Sequence, residues 1–144
     1  MVASETLPLE AMTRPDEVLA LENCDVWLDD QGVVRIVFKP CPDHGLDQAR
    51  AIVSAHNELS GDRKRGVLAD LTGITTAADR EARNYYVTPE ASRLKLGMAM
   101  ITPSPFQRML GNIFFRVNKP PYPCRMFQDE PGALVWLASL EQGG

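Results

Sequence analysis

The chain has 144 residues, 44% of them hydrophobic and 24% charged, with a net charge of −4, which suits one domain built around one core. It lacks the clustered Lys/Arg face that a nucleic-acid binder shows, and no window approaches the roughly 20 apolar residues that a bilayer span needs. No basic start with a continuous apolar stretch marks a secretory signal, so the expected compartment is the cytoplasm.

Residues 1–30 carry eight acidic side chains against Arg14, a local charge of −7 that leaves +3 for the remainder. Turn formers and acids without a sustained period predict a poorly ordered acidic lead over 1–17, followed by a single domain over 18–144. The stretch Leu19–Leu28 and the branched, aromatic run Val33–Phe38, joined by Asp29, Asp30, Gln31 and Gly32, predict a β-hairpin. Cys41, Pro42, Asp43, His44 and Gly45 then read as a loop with His44 facing solvent.

Apolar residues at 46, 49, 52, 53 and 59 follow a 3.6 period before the stop at Gly61, which predicts an amphipathic helix with His56 on its outer half. The solvated loop holding Arg63, Lys64 and Arg65 leads to Val67–Leu71, a nearly all-apolar run between glycines. Such a run fits a strand buried on both faces and parallel to its neighbour. Ala78–Leu94 is predicted helical with Pro89 as a break or a new first turn, and Leu96–Ile101 as another short strand.

From Ile101 to Trp136 the punctuation is densest. Ser104 is a natural N-cap and Pro105 a natural first helical residue. Phe106, Met109, Leu110, Ile113, Phe114 and Val117 recur at helical spacing, the pattern of a stripe buried in the core. Asn118, Lys119, Pro120 and Pro121 end that helix, Tyr122–Phe127 is a last strand, and Asp129 caps a final helix that buries Leu134, Leu137 and Trp136. The order ββαβαβαβα predicts an α/β layer structure.

The segments VWLDDQGVVRIVFKP, GVLADLTG, DREAR and SPFQRMLGNIFFRVNKPPYPCRMFQDEPGALVWL, in that order, resemble the small bacterial domains related to STAS and SpoIIAA. The resemblance implies a four to five stranded mixed sheet with helices packed mainly on one face, a non-enzymatic protein, and a homodimer as one possible state. A more distant likeness to CRAL-TRIO domains implies the capacity to hold a hydrophobic ligand. One departure stands out. The regulatory serine that follows an aspartate in STAS antagonists has Arg80 or Glu81 as its nearest counterpart after Asp79, and the hydroxyls nearby, Thr75 and Thr76, fit caps better than phosphorylation sites.

No acid, base and nucleophile constellation stands out, and nothing calls for a cofactor or a metal. Cys24, Cys41 and Cys124 lack metal or redox spacing and read as free thiols in the core. Asp70, at the end of a buried strand, fits an Asx turn, and the mixed charges Asp79, Arg80, Glu81 and Arg83 fit a solvated helix start. Tyr85 and Tyr86 point about 100° apart on a helix, so one enters the core and the other is free to line a site. Phe115, Arg116, Asn118 and Lys119, with Tyr122 beside them, form a candidate interface with a basic rim. The leading expectation is a binding or regulatory module that engages a protein partner or itself through the helices 78–94 and 105–118. The alternative is a carrier whose apolar cleft is lined by Tyr85, Tyr86, Met98, Met100 and Phe106.

Overall fold

The computed structural model describes residues 17–143, so the acidic lead, apart from Glu17, lies outside the described residues. In chain order the elements are β1 (Leu19–Ala20), β2 (Cys24–Leu28), β3 (Val34–Phe38), α1 (Leu46–Ser60), β4 (Arg65–Asp70), α2 (Arg80–Tyr86), α3 (Pro89–Ser92), β5 (Lys95–Ile101), α4 (Pro105–Asn118), β6 (Cys124–Phe127) and α5 (Glu130–Gly143). The six strands form one sheet in sequential order. β1, β2 and β3 pair antiparallel, and β3 through β6 pair parallel. The mixed α/β sheet holds one strand more than the expected four or five, because Leu21–Asn23 interrupts the first stretch and leaves a two-residue edge strand before β2.

Local chemistry accounts for the boundaries. Asp29 holds the β2–β3 turn: its buried carboxylate accepts from the backbone N–H groups of Gln31 and Val33, each at 2.9 Å, and from Arg35 Nε. Gly32 supplies the left-handed φ of +84° that closes the turn. Arg35 also reaches Glu130 on α5, tying the hairpin to the last helix. Ser104 caps α4 and Thr88 caps α3, each followed by proline at the first helical position. Pro89 therefore starts a new helix and splits 78–94 in two.

Side-chain alternation divides the sheet into two faces. Cys24, Val26, Val34, Ile36, Phe38, Val67, Ala69 and Met98 line one face and pack with Ile52 and Ala55 of α1. Val33, Leu68 and Ala99 line the other, covered by Ala133 and Leu137 of α5. The register aligns Met126 with Met100, and a side chain at Gly111 of α4 would meet Met126, so α4 lies on the α1 side. Helices thus predominate on one face, with α5 alone on the other.

Two histidines depart from expectation. His56 is fully buried, its Nε2 3.1 Å from the Leu94 carbonyl oxygen. It stands one turn after Ile52, so the helical period sets it on the inner face whatever its polarity. His44 is buried as well, because α2 folds back over the start of α1: Asp79 N–H donates to the His44 carbonyl, and Tyr86 comes down on the imidazole.

Candidate functional site

The buried polar groups of the α1 face engage one another. His44 Nε2 lies 2.6 Å from the Tyr86 hydroxyl, and the Phe38 ring packs tilted against the imidazole with centroids 5.6 Å apart. Lys95, 3% exposed, holds its Nζ over the rings of Tyr86 at 5.7 Å and Tyr122 at 5.4 Å, within the range of cation–π attraction. Burial pulls the Lys95 ammonium down to about 8 and His56 down to about 4, the latter aided by the neighbouring charges of Lys95 and Arg65. Burial likewise pushes the Cys24 and Cys124 thiols up to about 12, which makes them poor nucleophiles at neutral pH. All three cysteines are free; Cys24 and Cys41 are buried and Cys124 is half-buried. Among the described residues, no group of three or more His, Cys, Asp or Glu side chains is placed to hold a metal ion.

The hydroxyls nearest the STAS switch position are occupied. Thr75 Oγ1 accepts from Cys41 N–H, and Thr76 Oγ1 donates to the Cys41 carbonyl at 2.7 Å, so both pin the loop before α1 to the loop before α2. Asp70 accepts from Thr72 N–H in the Asx turn expected of it, and Asp79 caps α2 through Ala82 N–H.

The candidate interface residues fall into two groups. Tyr86 is the inward one of its pair. Tyr85 turns outward, with its hydroxyl on Glu90 at 2.9 Å and the Arg50 guanidinium over its ring. At the end of α4, Arg116, Asn118 and Lys119 are exposed, and Asn118 donates to the Phe114 carbonyl. Lys119 ends the helix in a left-handed conformation with φ of 28°. Tyr122 is buried in the core beside Lys95 and stands apart from this rim. Of the five residues expected to line an apolar cleft, Met98, Met100 and Tyr86 come together in the packed core, whereas Tyr85 turns to Glu90 and Phe106 points out from α4.

α4 reverses the expected burial. Phe106, Met109, Leu110, Ile113, Phe114 and Val117, read in the sequence as the buried stripe, are all exposed, from 42% for Ile113 to 75% for Val117, and no residue of α4 is fully buried. The helix docks through the opposite side, formed by Arg108, Gly111, Asn112 and Phe115. Those positions lie about half a turn from the stripe centre at 100° per residue, and all four are partly covered. Arg108 donates to the Thr102 carbonyl at 2.9 Å, and Asn112 Oδ1 accepts from Met126 N–H at 3.1 Å, which caps a backbone donor of β6. Gly111 gives Met126 room: a Cβ there would sit 2.7 Å from its Cγ. Phe115, expected at the rim, is thus on the docking side, and Phe114, expected in the core, faces out with its ring 6.0 Å from that of Phe115. A small residue and an asparagine side by side at the middle of the helix, opposite its apolar stripe, are the signal in the sequence for this docking side.

Residues 26–141 match the model of a domain of unknown function, DUF7793. The chain belongs to that family. No functionally curated protein matches it. Among solved structures, it is similar to an uncharacterised protein of the DUF3478 family with a SpoIIAA-like fold from Shewanella loihica PV-4. The identity is 14% and the TM-score 0.61, over 83% of this chain and 97% of that one. A protein of unknown function from Arthrobacter sp. FB24 matches at 23% identity over 87% of this chain and 99% of that one, with a TM-score of 0.28. The fold of this family member is therefore SpoIIAA-like, as the sequence resemblance implies, and no enzymatic family is indicated. No described helix is long and apolar enough to cross a membrane.

Proposed function

We propose that the protein is a non-enzymatic binding module that acts through protein–protein contacts made by the outward face of α4. One observation carries this reading: six large apolar side chains on consecutive turns of one helix face solvent while Arg108, Gly111, Asn112 and Phe115 face the sheet. Six such side chains, at their observed exposures, present on the order of 600 Å² of apolar surface, at the top of the range for the largest patch on an ordinary monomer. Leaving that much hydrocarbon in water costs free energy that a partner recovers. Arg116, Asn118 and Lys119 at the end of the stripe supply the polar rim that interface cores carry.

A photo-crosslinking residue in place of Ile113 tests the reading in the living host. A covalent adduct to a protein, absent when the same residue replaces the exposed Arg93 at the end of α3, is the expected result. No protein adduct at Ile113 would remove the proposal.

A further inference from the structure

Resting on that reading, we infer that the occupant of the α4 face is a second copy of this chain, packed α4 against α4 in antiparallel orientation about a two-fold axis between Leu110 and Ile113 on the outward stripe.

Three observations support a self-complementary contact. A two-fold interface sets a patch against itself, so any charge near its centre meets its own like charge. The stripe carries none: α4 has no acidic residue, Arg108 is turned back onto the Thr102 carbonyl, and Arg116 lies near the C-terminal end. An antiparallel pair leaves the two Arg116 side chains at opposite ends, each beside Met109 of the other copy.

The spacing is also symmetric about the helix middle. Reversing α4 about that point lays Phe106 against Val117 and Leu110 against Ile113 of the second copy, so apolar side chains meet apolar side chains along the seam. Full mutual coverage of two stripes would bury about 1,200 Å², the lower bound for a specific, stable interface.

Pairing by strands is the competing route, and the fold disfavours it. Asn112 already occupies the Met126 N–H on the outer side of β6, and β1 at the opposite edge offers only two residues. The helix face is left as the surface whose burial another copy completes.

Sedimentation velocity from micromolar to near-millimolar protein should show a monomer–dimer equilibrium, weakened by about 100-fold in Kd by Ile113→Asp, because the substitution sets two carboxylates near the axis in an apolar seam. Far-UV circular dichroism of that variant should be unchanged, since Ile113 contributes little to the monomer core. Orientation is read by mixing a Phe106→Cys protein with a Val117→Cys protein under mild oxidation. The mixture should form a disulfide-linked dimer that neither forms alone, and wild type should form none. A strict monomer, a dimer indifferent to Ile113→Asp, or cross-links between like positions would each overturn the inference. If the monomer persists while the photo-adduct at Ile113 joins a different protein, the binding reading stands and only the second copy is wrong. If neither dimer nor protein adduct forms, both fall.

Discussion

α1 and α4 are near equals in length, 15 and 14 residues, and both carry an apolar stripe at helical spacing. α1 turns Ala49, Ile52, Val53 and His56 onto the sheet, and α4 turns Phe106, Met109, Leu110 and Ile113 away from it. The difference lies in what each helix crosses. α1 follows β3 and returns to β4, so it must pass over the sheet and its apolar face meets Val26, Val34 and Val67. α4 serves the outermost strand, where it docks mainly on the edge of β6, and that edge offers a backbone donor and a methionine side chain in place of an apolar plane. Asn112 answers the first and Gly111 makes room for the second. Amphipathicity therefore states that a face has to be covered, and the topology decides whether the same chain can cover it.

The contrast is broken most directly by matched truncations. Ile52→Ala on α1 should cost about 3 kcal/mol, the usual range for a buried methylene deletion with its cavity, measured by urea unfolding at a protein concentration low enough to keep the chain monomeric. A loss below about 1 kcal/mol would mean that α1 is not anchored as described.

The inward face of α1 also carries a pH signature. His56 is held neutral in the folded state, with its pKa lowered from 6.5 to about 4 by burial and by the charges of Lys95 and Arg65. Between those values the unfolded chain binds the extra proton, so folding stability is full above pH 6.5 and falls as the pH drops toward 4, by about 3 kcal/mol for this group. His56→Gln should flatten that part of the profile. An unchanged slope between pH 4 and 6.5 would assign the acid sensitivity to other groups.

On α4 the docking side is the sensitive one. Gly111→Leu forces a side chain into Met126 and should cost about 1–2 kcal/mol through overpacking, with the amide of Met126 losing hydrogen-exchange protection as Asn112 is pushed away. Unaltered protection would contradict the docking geometry. The smallest effect belongs to the outward stripe: Ile113→Ala should change monomer stability by less than about 1 kcal/mol, because the side chain already meets water. A loss as large as that of Ile52→Ala would show that the stripe is buried within the monomer after all.

Much of the fold was legible from residues alone. Asp29 and Gly32 mark the hairpin, Gly66 and Gly73 bracket a strand whose Val67, Leu68 and Ala69 are covered on both sides, and Ser104 with Pro105 sets the first turn of α4. Those features are written in local chemistry: a carboxylate that accepts from its own turn, a proline with no N–H to lose. The positions of His44, His56 and Lys95 were not legible, because residue type suggested water while chain path and helical phase carried them inside. Lys95 is the extreme case, a cation whose partners, Tyr86 and Tyr122, come from segments far apart in the chain. For the candidate interface residues, the exposure of Arg116, Asn118 and Lys119 was legible and the facing of the neighbouring rings was not: Phe114 and Phe115 exchange sides.

By itself the sequence determined the elements, their order and the existence of an apolar face on α4, since periodicity, caps and turn residues act over a few positions. Only the tertiary structure decided which side of that helix meets the protein. The reason is that burial depends on what surface lies opposite, and at the edge of the sheet the space beside Gly111 and the bond from Met126 N–H to Asn112 hold α4 by its polar side.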